Sequence, residues 1–322
     1  MKNLSLIGAS DVFNAGNVKV TLGLCVKNSE ATVKYAVNSV LGQDFPHENM
    51  ELAVVEGYSK DNTLDALKDA LKDIDIKTKM YQEREGLGRA RQIVVDNALG
   101  EYIIWVDADM ILSSHFVANQ VDFMTENPRA GIAKGKYGTW RKGNHENLVE
   151  ILENAEFLLN TMSNGEASSK SLGKSGCTLG TSGCIYRTKA IRQVGGFDEN
   201  FKGAAEDTDA EYRIRAAGWS IHITQAVFYE KRRKTWQFLW KEYFWYGCGG
   251  KYLFKKNKHA INIYKFLPPV AIILELLRVP AAYKLTKRKA MFLLPFHYVF
   301  KRIAWCMGFM KNSFDSLLKK EL

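Results

Sequence analysis

Gly100-Glu-Tyr-Ile-Ile-Trp-Val-Asp-Ala-Asp109 is the stretch on which the fold turns. Tyr102 to Val106 is an unbroken run of aromatic and β-branched residues, the pattern of a strand covered on both faces. It ends in two carboxylates one residue apart. Upstream, Gly88 to Leu99 has helical spacing, Ile76 to Tyr81 reads as a strand, and Thr63 to Leu71 as a helix. Glu51 to Val55 is a further buried strand. Ala31 to Leu41 places Val33, Val37, Val40 and Leu41 at helical intervals, and Val18 to Val26 opens the series. The β-α-β-α-β-α-β order over residues 18–112 predicts an α/β fold, a mostly parallel sheet with helices on both faces.

In such sheets ligands bind beyond the carboxyl ends of the strands. That rule selects Val26–Asn28, Glu56–Ser59, Glu83–Gly86 and Asp107–Asp109. Asp107 and Asp109 project near one exposed edge, where two anions repel unless a cation or hydrogen-bond donors compensate them. Oxygen ligands beside a diphosphate suit Mg²⁺ or Mn²⁺. Further along, Asn147 to Met162 reads as an amphipathic helix and Ser163 to Ser175 as a mobile loop. Then come a strand at Gly183–Arg187, a helix at Thr188–Val194, a turn at Gly195-Gly196, a helix from Asp207 to Ala217 and a strand around Ile221–Thr224. Glu206, Asp207 and Asp209 open that helix, where acids also offset the macrodipole. Ser59, Asp61 and Thr63 are expected to make turns and caps. Gly86-x-Gly88 lacks the later glycine of a dinucleotide fingerprint, which excludes NAD.

Taken together the segments resemble the family 2 glycosyltransferases of GT-A fold. The resemblance runs through Val20-Thr-Leu-Gly-Leu-Cys-Val-Lys-Asn28, Ser39-Val-Leu-Gly-Gln43 and Val54-Val-Glu-Gly-Tyr-Ser-Lys-Asp-Asn-Thr63. Gly86-Leu-Gly-Arg-Ala-Arg91 and Asp107-Ala-Asp109 follow in order, then Gly183-Cys-Ile-Tyr-Arg187, Gly195-Gly-Phe-Asp-Glu199 and Glu206-Asp-Thr-Asp209. It covers roughly residues 18–255 and implies a Rossmann-like GT-A domain. It implies nucleotide contacts at Val26, Glu56, Arg91 and Asp107, a metal ligand at Asp109, and a catalytic base at Asp207 beside Glu206. The implied reaction is inverting transfer from a nucleotide-sugar, a UDP-sugar by default, to a hydroxyl or phosphate acceptor. Departures are Glu56 for the usual Asp, and Cys25 and Lys27 for a commoner Pro and aromatic. Tyr229 and Glu230 stand where relatives often carry a metal-binding His, so Glu230 is a second candidate ligand. Trp245 falls near an acceptor-site tryptophan of processive relatives, but the accompanying Gln-x-x-Arg is missing, which favours transfer of single sugars.

The chain has 322 residues, 46% of them hydrophobic and 25% charged, enough for a substantial core. Its five cysteines form no C-x-x-C pair, which fits a reducing compartment and excludes a disulfide framework. Residues 1–17 hold only a short apolar patch at Leu4–Ala9 and are expected to be a poorly structured leader, not an export signal. Residues 18–235 are the expected catalytic domain and 236–322 a basic, aromatic, helical region. Residues 1–229 carry 25 Lys/Arg against 30 Asp/Glu, whereas 230–322 carry 20 against 5. Such a basic end calls for a phosphate-bearing partner. The apolar stretches Leu267–Tyr283 and Met291–Met310 are interrupted by charges and prolines, short of the roughly 20 apolar residues of a membrane span. They predict an amphipathic appendage lying on an anionic membrane surface, or else an additional helical subdomain. The expected setting is cytoplasmic, peripheral on the inner face of the cell membrane, with a lipid-linked glycan or polyprenyl phosphate as acceptor and no nucleic acid. The alternatives are a sugar-phosphate nucleotidyltransferase and a nucleic-acid-binding protein that uses the basic tail.

Overall fold

The computed structural model describes residues 5–9, 18–72, 74–138, 147–164, 178–230, 235–261, 263 and 267–318. Contacts divide the chain into two units: residues 1–140, 178–202 and 206–232, and residues 141–177, 203–205 and 233–322.

Among the described residues the first unit is built on a nine-stranded sheet. Its strands are Ser5–Ala9 (β1), Val20–Val26 (β2), Met50–Glu56 (β3), Lys77–Gln82 (β4), Tyr102–Asp107 (β5), Met110–Leu112 (β6), Ala130–Tyr137 (β7), Cys184–Arg187 (β8) and Ser220–Glu230 (β9). They lie in the order β1-β4-β3-β2-β5-β8-β7-β9-β6. β4, β3, β2 and β5 are the parallel block that the periodicity predicts. Every residue of β3 is buried, as expected of a parallel strand covered on both faces. Val20, Leu22, Leu24 and Val26 pack with Val33 and Val37 of helix Val33–Leu41 (α1), Leu67 of Thr63–Ala70 (α2) and Phe116 of Phe116–Glu126 (α4). On the opposite face Gly23 lies under Trp105 and Val94, the latter in helix Leu87–Asn97 (α3).

Beyond β5 the sheet becomes mixed. β8 is antiparallel to β5 and to β7, β9 is parallel to β7, and β6 is antiparallel to β9. β9 runs to Glu230, well past the expected Thr224, because β6 and β7 both pair along its second half. Helices Thr188–Gln193 (α6) and Glu206–Ala216 (α7) lie where helices were expected. Ser5–Ala9 corrects the expectation of a poorly structured leader: it pairs antiparallel with β4, Ser5 opposite Gln82 and Ala9 opposite Lys79, and so covers the otherwise open edge of that strand.

The second unit is helical: Leu148–Asn164 (α5), Trp236–Lys256 (α8), Pro268–Thr286 (α9) and Leu294–Leu318 (α10). α5 is grouped with the C-terminal helices because Leu152 and Ala155 pack on Val279, Ala282, Met291 and Leu294. Ser163 and Asn164 end α5, and the remainder of the loop expected to Ser175 lies outside the described residues. α8 and α10 approach closely: a Cβ on Gly247 would strike the Trp305 carbonyl, and one on Gly308 the Phe244 carbonyl. Much of the aromatic cluster is packing between these helices, since Trp236 and Trp240 lie 5.1 and 5.2 Å from the Phe300 ring.

A buried ionic knot ties α5 to α10. Lys301 Nζ donates to Glu153 Oε1 at 2.7 Å and Glu156 Oε2 at 2.5 Å, and His297 Nε2 lies 2.7 Å from Glu153 Oε1. Burial alone would push the Lys301 ammonium down, but the acidic groups around it, Tyr243, Glu156 and Glu153, hold it well above the usual lysine range. Burial would raise Glu153, but the His297 bond and the Lys301 charge hold it well below the usual carboxylate range. The Lys301 contribution is therefore present below its ordinary value and lost as pH rises through the elevated one. That of Glu153 is present above the ordinary carboxylate value and lost as pH falls through the depressed one. Lys301→Met leaves two mostly buried carboxylates, each 13% exposed, without their cation and should cost about 2–4 kcal/mol, toward the lower end for a buried pair. Urea unfolding at neutral pH followed by circular dichroism checks this, and the deficit should narrow as the pH drops through the carboxylate range.

Candidate active site

Register sets the carboxyl edge of the parallel block. Val26 pairs with Glu56, Glu56 with Gln82, and Cys25 with Asp107, so the four strand ends form one row. In the order β4-β3-β2-β5 the chain builds outward from β2 to β3 and β4 and then crosses to β5 on the other side, so the strand order reverses between the parallel neighbours β2 and β5, where ligands of open α/β sheets bind. The Val26 side chain is buried and its carbonyl accepts from Gly57 N–H at 2.8 Å. Glu56 turns back on its own loop. Oε2 accepts from Tyr58 N–H at 3.0 Å and Gln82 Nε2 at 2.7 Å, and Oε1 from Ser59 N–H at 2.6 Å. Burial would raise this carboxyl, but the bonds from Ser59, Gln82 and Tyr58 outweigh it and hold it below the usual range. Ser59, Asp61 and Thr63 tie the same loop: Ser59 Oγ accepts from Asn28 N–H at 2.9 Å, and Thr63 Oγ1 donates to Asp61 Oδ1 at 2.5 Å.

Arg91 joins the two acidic segments. Its side chain projects from α3, 6% of the residue is exposed, and it is ion-paired with Glu206 and 3.9 Å from Asp107 Oδ1. Its guanidinium also lies 5.9 Å from the Trp105 ring centroid and 6.0 Å from that of Phe197. The strand end at β5 and the first turn of α7 therefore share one buried cation. Glu206 is 1% exposed and committed to that pair. Asp209 and Glu211 are likewise structural, pairing with Arg213 and Arg215 one turn on.

Asp207 differs from its neighbours. It is half-buried, and its bonds among the described residues both reach Oδ1, from Thr208 N–H at 2.6 Å and the Thr208 hydroxyl at 3.3 Å. Oδ2 faces Gly180, 3.5 Å from where a Cβ would stand; Gly180 itself has φ +69°, a conformation that suits glycine. Residues 178–183 wedge between the two acids, since the Ser182 hydroxyl donates to Asp107 Oδ2. This wedge is anchored by Leu179, whose N–H donates to Glu211 at 2.7 Å and whose carbonyl accepts from Lys134. Burial pushes the nearby Cys184 thiol up to about 12, opposed by Lys134 and aided by Glu211, Asp207 and Asp107. Ser182 and Lys134 were not singled out from the sequence; the small-residue turn Gly180-Thr-Ser-Gly183 before β8 was the available sign.

Asp109 sits half-buried in the turn from β5 to β6. The next residue, Met110, pairs with Glu230 across the β6–β9 ladder, and Glu230 Oε1 accepts from the Tyr137 hydroxyl at 2.7 Å. Asp107, Asp109 and Glu230 give this edge an all-oxygen donor set, which fits Mg²⁺ or Mn²⁺ with phosphate oxygens completing the shell. The three side chains do not form a closed cluster by themselves. Among the described residues the one group of three potential ligands within 4.8 Å is Glu153, Glu156 and His297, where Lys301 already supplies the positive charge. Trp245 lies exposed in α8, in the second unit, with its indole nitrogen against Gly203.

The family model described as glycosyl transferase family 2 matches residues 21–195. The chain belongs to that family. Poly-beta-1,6-N-acetyl-D-glucosamine synthase of Staphylococcus epidermidis is 23% identical over 286 residues, 83% of this chain and 61% of that protein. The chain thus spans about three fifths of the length of this relative. Among solved structures, the mannosyltransferase PcManGT of Pyrobaculum calidifontis, in complex with GDP-Man and Mn²⁺, superposes with a TM-score of 0.65 at 19% identity. That match covers 95% of this chain and 90% of the other. S. aureus TarS 1–349 in complex with UDP-GlcNAc gives 0.50 at 17%, over 92% and 91%. The fold is accordingly of the GT-A type, with a C-terminal helical region.

Arg91→Met strands Glu206 in the core and should lower stability by about 3–5 kcal/mol. Adding Glu206→Gln should recover part of the loss, because no buried charge is then left alone. A double-mutant cycle from urea midpoints measures the coupling.

Proposed function

We propose that the chain is an inverting glycosyltransferase that moves a single sugar from a nucleotide-sugar to a hydroxyl or phosphate acceptor. The carrying observation is Arg91, which pairs with Glu206 at the start of α7 and lies 3.9 Å from Asp107 at the end of β5, so the two acidic segments meet at one cation. Val26, Glu56 and Asp107 form the nucleotide side, with Arg91 as the residue that positions Asp107. UDP is the default nucleotide: S. aureus TarS is solved with UDP-GlcNAc, although PcManGT is solved with GDP-Man.

Asp207 is the base. A hydroxyl is a poor nucleophile, so its proton must leave as the new bond forms. Asp207 Oδ2 faces the wedge at Gly180, whereas Glu206 is spent on Arg91 and acts by fixing the helix start. The acceptor oxygen attacks the anomeric carbon from the face opposite the diphosphate, the bond to the leaving phosphate oxygen breaks, and the configuration inverts. Asp109, with Glu230 beside it, would hold Mg²⁺ or Mn²⁺, whose chemistry there is to offset charge on the departing diphosphate.

The acceptor is membrane-bound, a lipid-linked glycan or polyprenyl phosphate, at the cytoplasmic face of the cell membrane. Support comes from the excess of Lys/Arg after residue 230 and the exposed aromatics Trp236, Phe238 and Trp245. The association proposed is peripheral; no helix among the described residues is long and apolar enough to cross a membrane. Trp245 is the candidate acceptor residue by family resemblance alone.

A panel of UDP- and GDP-sugars with Mn²⁺, scored by release of nucleoside diphosphate, tests the reading. Asp207→Asn should lower turnover by about 10²–10⁴-fold while thermal shift by the donor persists. Asp109→Asn should weaken both turnover and the Mn²⁺-dependent part of that shift. Absence of any donor-induced shift, or full activity in Asp207→Asn, overturns it.

A further inference from the structure

Helix α9 is turned inside out for a protein in water. Glu275, Val279 and Ala282 form its buried stripe, and Glu275, its sole acid, pairs inward with Arg278 at 2.7 Å. The outward positions are apolar: Ile273 is 61% exposed and Leu277 75%. A water-facing helix carries its polar residues on that side. The surface continues past the helix. Tyr283 and Phe292 are both exposed with ring centroids 5.7 Å apart, and Phe296 is 73% exposed.

The margin of this surface is cationic. Lys284, Lys287, Arg288 and Lys289 are exposed where α9 ends, and Lys287 breaks the helix in a left-handed conformation. Residues 276–314 contain no Asp or Glu. An apolar surface whose own segment carries cations and, past Glu275, no acid complements a layer whose headgroups are anionic and whose interior is hydrocarbon. It does not complement a second copy of itself, because a two-fold contact would set these cations against one another. The 19 residues of α9 measure about 28 Å, long enough to lie along a bilayer interface as one element.

We propose that α9 and residues 289–296 are a bilayer-docking face. Ile273, Leu277, Phe292 and Phe296 enter the acyl boundary, and Lys284, Lys287, Arg288 and Lys289 bind anionic phospholipid headgroups. This deepens the membrane-acceptor reading above and rests on it, by naming the surface and the lipid charge it requires.

The test is flotation of the full chain with vesicles of phosphatidylcholine alone or mixed with phosphatidylglycerol. Binding should favour the mixed vesicles and weaken as salt rises. Leu277→Gln with Phe296→Gln should cut binding to mixed vesicles by at least about tenfold. Lys287→Gln with Lys289→Gln should cut it by roughly fivefold per cation removed, and only on the anionic vesicles. All four positions are exposed, so melting curves should coincide with wild type; if either variant is unstable, the salt and lipid dependence of the wild-type chain carries the test. Three outcomes overturn the proposal: no flotation of the wild type, equal flotation on both vesicles at every salt, or a dimer in light scattering that Leu277→Gln dissolves. Donor-induced release of nucleoside diphosphate, measured on the same preparation, reports on the active site alone. Loss of flotation with retained release sinks the docking face and spares the transferase.

Discussion

A buried guanidinium cannot stand alone. Removing Arg91 from water without compensation would cost several kcal/mol, and it is compensated from two parts of the chain, Asp107 at the end of β5 and Glu206 at the start of α7. That requirement links residues about a hundred positions apart in sequence. The aromatic faces of Trp105 and Phe197 finish the enclosure. What surrounds this cation follows from it: the first turn of α7 is held in place, and Asp207, one residue on, is directed toward the wedge at Gly180.

Four acids in the first six residues of α7 carry out different tasks, and their partners separate them. Glu206 neutralises a buried cation, Asp209 and Glu211 brace the helix through Arg213 and Arg215, and Glu211 also anchors Leu179. Asp207 keeps one oxygen turned to the Gly180 wedge. The wedge itself is rigid, being bonded through Leu179, Ser182 and Gly183 to three different parts of the sheet unit. Such anchoring would suit the general base proposed for Asp207, whose efficiency would depend on its distance from the proton it takes.

The parallel block was legible almost to the residue, because strands buried on both faces and helices of 3.6-residue period leave unmistakable hydrophobic patterns at β2, α1, β3, α2, β4, α3 and β5. The antiparallel extension was less so. β9 mixes Thr, Gln and His with apolar residues, and its length is set by partners in β6 and β7 that no local pattern reveals. β1 is five residues whose strand state depends on β4. Within the site, the family pattern implied a base at Asp207 beside Glu206 but did not show which of the two would pair with Arg91, since adjacent acids look alike until one of them meets that cation. Ser182 stayed hidden for a similar reason: its importance lies in the carboxylate it reaches, not in its surroundings along the chain.

Glu56 has a consequence for how far the two acids of this residue class can replace each other. Three donors, spread over Tyr58, Ser59 and Gln82, draw on both of its oxygens, and Tyr58 is held at φ +52° between them. An aspartate, shorter by one methylene, would not span from the strand end to the same set of amides. At this position the longer side chain behaves as a brace for an unfavourable backbone turn at Tyr58, while Asn28 and Glu30 hold the rest of the loop through Ser59, Lys60 and Asn62.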